Sequence, residues 1–358
     1  MMRVTLSGYY GFNNAGDDAV CESVIAALRQ EMPEVDITLL SNEPQASRSQ
    51  FGVDAVNRWQ VRAAVKALWQ SDLLISGGGS LLQDVTSKRG FWYYLAVILL
   101  ARLMRVPVLV YGQGVGPLTD GLNRRLTAAV LNRTQAVTVR DIGSRNLLKD
   151  IGVRQPVLLT ADPVLGFAPE GGRPVRTLLA QAGIYGDRPL IICAPRPWQE
   201  VDRVKAFAGG LDALVQKGYA VALLPMQPEE DLPLCQAVVG HMTERAHLLT
   251  DRYTLAELFD MLAAADLVIA MRLHALIIGA ASNCALLALP YDPKVSAFMA
   301  RTKAGLVLPL ADLTAEELSA NAQAALVLGA CPEERLGILR NLARLPAVLA
   351  KKMINPRR

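Results

Sequence analysis

Residues 4–18 of the chain read VTLSGYYGFNNAGDD. A short apolar run passes into a glycine-rich turn, and apolar residues then recur at helical spacing, as at Val20, Val24 and Leu28. A strand, a glycine turn and a helix in this order open a β-α-β unit. Apolar runs like the first recur at 37–40, 73–76, 108–111, 136–139 and 157–159. Because these runs do not alternate apolar and polar residues, they predict parallel strands that are buried on both faces.

A second series of the same kind follows the turn-forming stretch 169–174, PEGGRP. Its apolar runs lie at 190–193, 220–224, 246–249, 267–270 and 285–289. The chain is therefore predicted to be an α/β protein with two Rossmann-like, doubly wound domains that face a central cleft, an arrangement similar to the GT-B fold. We place the N-terminal domain at 1–170 and the C-terminal domain at 171–330. Residues 331–358 are expected to form a C-terminal helix, an element that can cross back to the first domain.

The composition excludes several classes of protein. Of 358 residues, 52% are hydrophobic and 20% are charged, and 37 basic against 33 acidic side chains give a net charge of +4. This content supplies two buried cores, and the near-balance of charge argues against a dedicated nucleic-acid binder. The five cysteines are scattered and form no C-x-x-C pair, which favours a reducing compartment. Since the first residues lack the pattern of a signal peptide, we expect a cytoplasmic protein.

The longest uninterrupted apolar run, 91–101, is closed by Arg102. It is shorter than the roughly 20 residues that a membrane span requires. The favoured interpretation is a helix buried in the core of the first domain. The alternative is a helix that lies on a lipid surface through Trp92, Tyr93 and Tyr94.

Three glycine-rich turns are predicted at one edge of the first sheet, because the carboxyl ends of parallel strands share an edge. They lie at 8–18, 77–84 and 112–117. None of them matches a P-loop or G-x-G-x-x-G. The first turn carries Asn13, Asn14 and Asp17, more polar groups than one helix cap needs, although a cap with a flexible turn is the alternative. Together the turns indicate a site for a sugar, a phosphate or a nucleotide.

Arg140 stands at the end of the run 136–139. A guanidinium at a strand end could clamp an anionic ligand with two parallel hydrogen bonds. An ion pair with Asp141 or with Asp162 explains the residue equally well, and the sequence leaves this choice open.

Arg272, His274 and Lys294 follow two strands of the second domain, on the first turns of the next helices. Helix N-termini already favour anions. We expect no acidic partner for these side chains other than Asp292. Separate structural explanations exist for each residue: His274 as a core histidine, Arg272 in a surface ion pair, and Lys294 as a solvated lysine. The group is better explained by a small polyanion that carries a phosphate and a carboxylate, with His274 as the candidate acid or base.

These motifs together resemble the polysaccharide pyruvyl transferase family, most closely its CsaB type. The resemblance rests on Gly8-x-x-Gly11-x-x-Asn14-x-Gly16-Asp17, Gly77-Gly78-Gly79-Ser80, Gly112-Gln113-Gly114-Val115-Gly116-Pro117, Val139-Arg140-Asp141, Met271-Arg272-Leu273-His274-Ala275 and Tyr291-Asp292-Pro293-Lys294-Val295. It implies transfer of pyruvate from phosphoenolpyruvate to two hydroxyls of a sugar, which closes a cyclic ketal and releases phosphate. For the CsaB type it implies the 4- and 6-hydroxyls of a β-linked N-acetylmannosamine, in a secondary cell-wall polymer precursor that later anchors S-layer proteins.

The resemblance also implies roles for individual residues. His274 would be the general acid or base, with Arg272 and Lys294 as the other catalytic residues. The donor would be bound by Arg140, Arg272, His274 and Lys294. The acceptor would be bound by Gly11, Asn14, Asp17, Gly78, Gly79 and Ser80. Phosphoenolpyruvate would serve as co-substrate, with no cofactor, metal or nucleic acid, and the acceptor would be a glycan or a lipid-linked glycan. Contact with the inner face of the cell membrane is a separate expectation, through the run 91–101 or the basic residues Lys351, Lys352, Arg357 and Arg358, for which a solvated terminus is the favoured alternative.

Three other functions remain as alternatives. A GT-B glycosyltransferase would use Arg272 and Lys294 to neutralise the diphosphate of a nucleotide sugar. A non-catalytic glycan-binding protein would gain little from three cationic side chains in its site. A dehydrogenase is disfavoured because the chain lacks G-x-G-x-x-G with an acidic residue about 20 positions later.

Overall fold

The computed structural model describes residues 2–85, 87–199 and 203–354. The chain forms two compact units. The first unit comprises Met1–Asn13, Asp17–Phe167 and Ile338–Arg358, and the second comprises Asn14–Gly16 and Ala168–Gly337.

The first unit is a parallel sheet covered by helices. Its described strands are β1 (Arg3–Ser7), β2 (Asp36–Ser41), β3 (Asp54–Asn57), β4 (Leu73–Gly77), β5 (Val108–Gln113), β6 (Ala136–Val139) and β7 (Val157–Leu159). Its helices are α1 (Ala15–Glu31), whose first two residues belong to the second unit, α2 (Pro44–Phe51), α3 (Val61–Trp69), α4 (Lys88–Leu103), α5 (Gly121–Leu131) and α6 (Ile142–Asp150). The strand order is β3-β2-β1-β4-β5-β6-β7, so the chain starts inside the sheet and winds outward in both directions.

The strand pairing explains why the strands are apolar throughout. Val4 of β1 pairs in parallel with Ile37 of β2 and with Leu73 of β4. Every residue of β4 and β5 is buried. Helices on both faces exclude water from such strands, so both faces have to be apolar.

The second unit repeats this architecture. Its strands are β8 (Leu190–Ala194), β9 (Ala220–Leu223), β10 (His247–Leu248), β11 (Leu267–Ala270), β12 (Ala285–Ala288) and β13 (Leu306–Val307). Their order is β10-β9-β8-β11-β12-β13. The helices are α7 (Val175–Gln181), α8 (Val204–Gln216), α9 (Pro228–His241), α10 (Leu255–Ala263), α11 (Leu273–Ala281), α12 (Pro293–Thr302) and α13 (Ala315–Leu328). The predicted fold class, two doubly wound α/β units with parallel sheets, is confirmed.

The last helix, α14 (Glu333–Ile354), is part of the first unit from Ile338 onward. Arg344 of this helix donates from Nε to the carbonyl oxygen of Gly166, at 3.1 Å. Residues 355–358, the end of the predicted terminal helix, lie outside the described residues.

Helix α4 contains the long apolar run and has two faces. Phe91, Tyr94 and Ile98 are buried in the core of the first unit, which supports the interpretation as a core helix. Tyr94 is 4% exposed, so the alternative that placed it on a lipid surface is wrong for this side chain. Trp92, by contrast, is 44% exposed. No helix among the described residues combines the length and the hydropathy needed to cross a bilayer.

Position 305, at the edge of the second sheet, requires a glycine. Its φ is +61°, and a Cβ atom there would overlap the backbone oxygen of Leu286 in β12. Gly305→Ala should therefore lower the free energy of unfolding by about 1–3 kcal/mol, measured by urea denaturation. Gly121→Ala is the matched control, because a Cβ atom at this helix start meets nothing within 4 Å. Equal stability of the two variants would contradict the steric argument.

Candidate functional site

Arg272 is held by buried carboxylate oxygens at the carboxyl edge of the second sheet. It directly precedes α11, and its Nε donates to Asp231 Oδ2 at 2.9 Å while Nη2 donates to Asp231 Oδ1 at 2.5 Å. Nη2 also donates to Glu230 Oε2 at 2.9 Å. The Asp231 side chain is fully buried. The expectation that Asp292 is the only acidic partner of these cations was wrong.

The charge of Arg272 is stabilised by this environment. Burial alone would lower the pKa of Arg272, but the hydrogen bonds and the charge of Asp231, together with Glu230, raise it above its usual value. The Arg272–Asp231 pair is bidentate and charge-assisted, the geometry in which an arginine–carboxylate contact is strongest.

Arg196 joins the same group of side chains from the end of β8. Its Nη1 donates to the Tyr291 hydroxyl at 3.0 Å, and its Nη2 donates to Glu230 Oε2 at 3.3 Å. Its guanidinium carbon lies 4.6 Å from the centre of the Tyr291 ring. Glu230 therefore bridges Arg196 and Arg272.

Lys294 lies at the neighbouring strand end. Its Nζ is 3.4 Å from Asp292 Oδ2 and 5.8 Å from the centre of the Tyr291 ring. Asp292 also caps α12 by accepting from the backbone of Lys294. We call this group the strand-end cluster; its members are Arg196, Glu230, Asp231, Arg272, Tyr291, Asp292 and Lys294. Three cationic side chains in it face three carboxylates, so its formal charge is balanced.

His274 lies one residue into α11 and packs against Gly16. A Cβ atom at Gly16 would overlap His274 Nδ1, so a residue other than glycine would displace the imidazole. The segment that contains Gly16 belongs to the second unit. In it, Asn14 Nδ2 donates to Gln227 Oε1 at 3.1 Å, and the same oxygen accepts from Arg272 Nη1 at 3.3 Å. Asn14, predicted on the acceptor side, thus lies next to the predicted donor residues.

A small cavity adjoins the strand-end cluster within the second unit. Its volume is about 110 Å³. The residues that line it are Arg196, Pro197, Trp198, Gln199, Arg203, Phe207 and Leu234. Among the described residues, no three His, Cys, Asp or Glu side chains are grouped so as to hold a metal ion.

The first unit brings together some of the predicted acceptor residues. A Cβ atom at Gly79 would stand 2.9 Å from Asp17 Oδ1, so these two residues are neighbours. A Cβ atom at Gly78 would overlap Val20 of α1, which explains this glycine by close packing. Gly11 lies elsewhere in the turn, with a φ of +75°.

Arg140 forms one of the two ion pairs that the sequence left open. Its Nη1 donates to Asp162 Oδ2 at 2.6 Å, and both side chains are buried. Its Nη2 donates to Ser80 Oγ at 3.1 Å. Asp141 instead caps α6 by accepting from the backbone of Ser144.

Comparison with known proteins identifies the family. A sequence model described as "Polysaccharide pyruvyl transferase" matches residues 14–293. The chain belongs to this family. It is thus a transferase, and the family's activity is the transfer of pyruvate to a polysaccharide. The "Amylovoran biosynthesis protein AmsJ" of Erwinia amylovora is 21% identical in an alignment of 353 positions, gaps included, that covers 82% of this chain and 84% of AmsJ.

Solved structures share the fold of this pyruvyl transferase at low identity. The UDP-GlcNAc 2-epimerase of Methanocaldococcus jannaschii has a TM-score of 0.67 and 12% identity, with 98% of this chain and 99% of that chain covered. The Anabaena protein Alr3699/HepE, solved with UDP-glucose, has a TM-score of 0.60 and 14% identity, with 99% of each chain covered. At this level of identity the likeness concerns the fold alone.

Sequence reasoning missed two of the three carboxylates in the strand-end cluster of this pyruvyl transferase. Glu230 and Asp231 lie on the first turn of α9, where acidic residues are common because they favour the helix dipole. Their position could have been inferred from the sequence, because they follow β9 and therefore lie at the same edge of the sheet as Arg272.

Asp231→Asn should destabilise the second unit. The substitution leaves Arg272 buried without its charged partner, which typically costs about 3–5 kcal/mol. Urea denaturation measures this loss. Glu230→Gln is the matched control and should cost less than about 1 kcal/mol, because the Glu230 side chain is 46% exposed. Equal effects of the two variants would show that Asp231 contributes no more than a surface ion pair.

Proposed function

We propose that this chain transfers pyruvate from phosphoenolpyruvate to two hydroxyls of one sugar, forming a cyclic ketal and releasing phosphate. The observation that carries the proposal is the strand-end cluster, which holds Arg196, Arg272 and Lys294; His274 follows Arg272 by two residues, in α11. Phosphoenolpyruvate carries a phosphate and a carboxylate, and arginine and lysine are the side chains that bind such groups most readily. Membership of the pyruvyl transferase family supports the reaction class.

The anionic groups of the donor have to replace carboxylates of the protein in this cluster, because its cationic side chains already face carboxylates. Asp231 is fully buried and is expected to stay with Arg272. Glu230 and Asp292 have side chains that are 46% and 31% exposed, so they can turn toward solvent. The donor's anionic groups would then take their places on Arg196, Arg272 and Lys294.

The proposed reaction begins with a proton from His274 to the methylene carbon of phosphoenolpyruvate, which makes the second carbon electrophilic. The first sugar hydroxyl attacks that carbon, and its proton restores His274. The bond between the second carbon and the phosphate oxygen then breaks. The second hydroxyl forms the other ketal bond, and its proton leaves with the phosphate. The cationic side chains stabilise the departing phosphate.

The acceptor is proposed from the motifs of the CsaB type. It is the β-linked N-acetylmannosamine of a secondary cell-wall polymer precursor, modified at its 4- and 6-hydroxyls before the polymer anchors S-layer proteins. Asp17 and Gly79, which are neighbours in the first unit, are proposed to contact it. We place the reaction in the cytoplasm, in keeping with five cysteines that are all free thiols.

We propose that α4 attaches the protein to the anionic inner surface of the membrane. Its solvent-exposed face carries Trp92, Leu99 and Leu103, which are 44%, 45% and 74% exposed. Lys88 and Arg89 are exposed at its start, and no acidic residue occurs between Asp84 and Asp120. Apolar side chains flanked by cations are typical of interfacial helices on anionic lipid.

The reaction is tested by phosphate release from phosphoenolpyruvate, with and without a synthetic N-acetylmannosamine-containing glycolipid whose mass is followed. Release should depend on the acceptor, which gains a pyruvyl ketal. His274→Ala should lower turnover by about 10²–10⁴-fold, the usual contribution of a general acid or base. Lys294→Ala should instead weaken donor binding.

Two outcomes would contradict these roles. If His274→Ala changes only the affinity for phosphoenolpyruvate, His274 is a binding residue and does not transfer the proton. If no phosphate is released while a nucleotide sugar stabilises the fold, the protein is a glycosyltransferase, and Arg272 and Lys294 bind its diphosphate.

Membrane attachment is tested by co-sedimentation with vesicles of phosphatidylcholine alone or with phosphatidylglycerol. Replacing both Trp92 and Leu103 by Ser should weaken binding to the anionic vesicles about tenfold or more. Replacing Val327 and Leu328 of α13 by Ser is the matched control, since they are 88% and 61% exposed in the second unit. Equal losses in the two double variants would exclude a specific role of α4.

A further inference from the structure

Arg58 is a buried cation that the proposed reaction does not use. It follows β3 in the first unit and is 5% exposed. Its Nη1 donates to the carbonyl oxygen of Gly8 at 3.1 Å and to the Tyr94 hydroxyl at 3.4 Å. Neither acceptor carries a negative charge. No carboxylate of the described residues pairs with Arg58, although a buried charge is normally paired.

Aromatic rings surround this guanidinium. Its central carbon lies 4.0 Å from the centre of the Tyr93 ring and between 5.1 and 5.2 Å from those of Trp59, Tyr94 and Phe12. We call Arg58 and these four rings the Arg58 cluster. Contacts with ring faces offset part of the cost of burying the charge, but they leave its hydrogen-bonding capacity unused.

The remaining nitrogens of Arg58 show where a ligand could bind. Nε is buried and makes no hydrogen bond to the described residues. Nη2 also makes no hydrogen bond to them, yet it is not among the fully buried polar atoms, so it keeps access to solvent. Buried polar groups are normally hydrogen-bonded, so an arginine with N–H groups that donate no hydrogen bond is a candidate binding group for a polar ligand.

The tyrosines of the cluster do not supply the missing negative charge. Burial raises the pKa of Tyr94, and the nearby Asp17 carboxylate adds to this effect although Arg58 opposes it. Burial likewise raises the pKa of Tyr93 against the opposing charge of Arg58. Both hydroxyls therefore keep their protons at neutral pH, and the charge of Arg58 is not neutralised within the cluster.

Exposed aromatic side chains form a rim beside Arg58. Trp59 is 60% exposed, and its Nε1 is held by Asn42 Oδ1 at 3.0 Å. Tyr9 is 37% exposed and stacks on Phe12, with ring centres 4.1 Å apart. Rigid aromatic faces beside a few placed polar groups are typical of small-ligand sites, and they suit the apolar face of a sugar ring.

We propose that the Arg58 cluster binds an anionic group of the acceptor next to a sugar ring, with the anion on Arg58 and the ring against Trp59 and Tyr9. The anion is a carboxylate of an acidic sugar or the phosphate that joins a sugar to its carrier. This inference rests on the proposed function, because it extends the acceptor side from Asp17 to Arg58. The Gly8–Phe12 turn, whose Gly8 oxygen accepts from Arg58, leads directly toward Asp17 in the sequence.

Calorimetric titration of the full chain tests the site with two matched pairs of probes. Methyl β-glucuronide is compared with methyl β-glucoside, and N-acetylglucosamine 1-phosphate with N-acetylglucosamine. At least one anionic probe should bind more tightly than its neutral counterpart. Arg58→Met should weaken that binding by about tenfold or more, the usual loss for a hydrogen bond to a charged group. Arg62→Met, which removes an exposed charge from α3, should change it less than twofold.

The probe pair in which the anionic member binds more tightly identifies the source of the anion. Tighter binding of the glucuronide indicates the carboxylate of an acidic sugar, and tighter binding of the sugar phosphate indicates the phosphate that joins a sugar to its carrier. Trp59→Ala serves as a second variant, because Trp59 is exposed and its loss leaves the core intact; it should weaken the same binding about fivefold. The proposal is overturned if neither anionic probe binds better than its neutral counterpart, if Arg62→Met has the same effect as Arg58→Met, or if Trp59→Ala changes nothing.

Titration with phosphoenolpyruvate separates this proposal from the proposed reaction. Arg58→Met should leave the affinity for phosphoenolpyruvate unchanged, since that binding is assigned to the second unit. Failure of phosphoenolpyruvate to bind would overturn the proposed reaction while an Arg58-dependent anion site stands. Loss of phosphoenolpyruvate affinity in Arg58→Met would instead overturn the assignment of Arg58 to the acceptor.

Discussion

The buried pair of Arg272 and Asp231 is the interaction on which the strand-end cluster depends. Strand β8 lies between β9 and β11, so the residues after β8 are flanked by the helix after β9 and the turn after β11. Asp231 and Arg272 meet across the end of β8, where Arg196 lies, and Glu230 reaches both arginines. Because either charge would be costly to bury alone, the pair fixes the start of α9 against the start of α11. The buried ion pair with Asp231 thus fixes the position of Arg272 without any bound substrate.

Much of the fold could be predicted from the sequence, because parallel strands that are buried on both faces leave continuous apolar runs. Strand β3 could not be predicted, since only Ala55 and Val56 of its four residues are apolar. It stands at the edge of its sheet and pairs with β2 alone, so it needs less apolar surface than an inner strand. The same holds for β13, which has two residues and lies at the edge of the second sheet.

The candidate site could be predicted in position but only partly in its bonding. The rule that polar residues collect after parallel strands found Arg140, Arg272 and Lys294, yet it does not say which of them are paired. Asp231 precedes Arg272 by 41 residues, and only the strand order brings them together. Asp84, in the second glycine-rich turn, has a structural role. Burial acts to raise the pKa of Asp84, but hydrogen bonds from Asn123, Thr119 and Asp120 lower it to about 2.

Three arginines among the described residues are less than a tenth exposed, and their partners differ. Arg140 and Arg272 each form an ion pair with a buried carboxylate. An anionic ligand must therefore bind a guanidinium whose charge is already neutralised, or displace an acidic side chain such as Glu230. Arg58 faces aromatic rings and protonated hydroxyls, and no carboxylate of the described residues forms an ion pair with it. An anion can therefore bind Arg58 without reorganising charged groups, whereas binding at the strand-end cluster requires that exposed acids leave. At the donor site proposed for the second unit, binding and side-chain rearrangement would consequently be a single step.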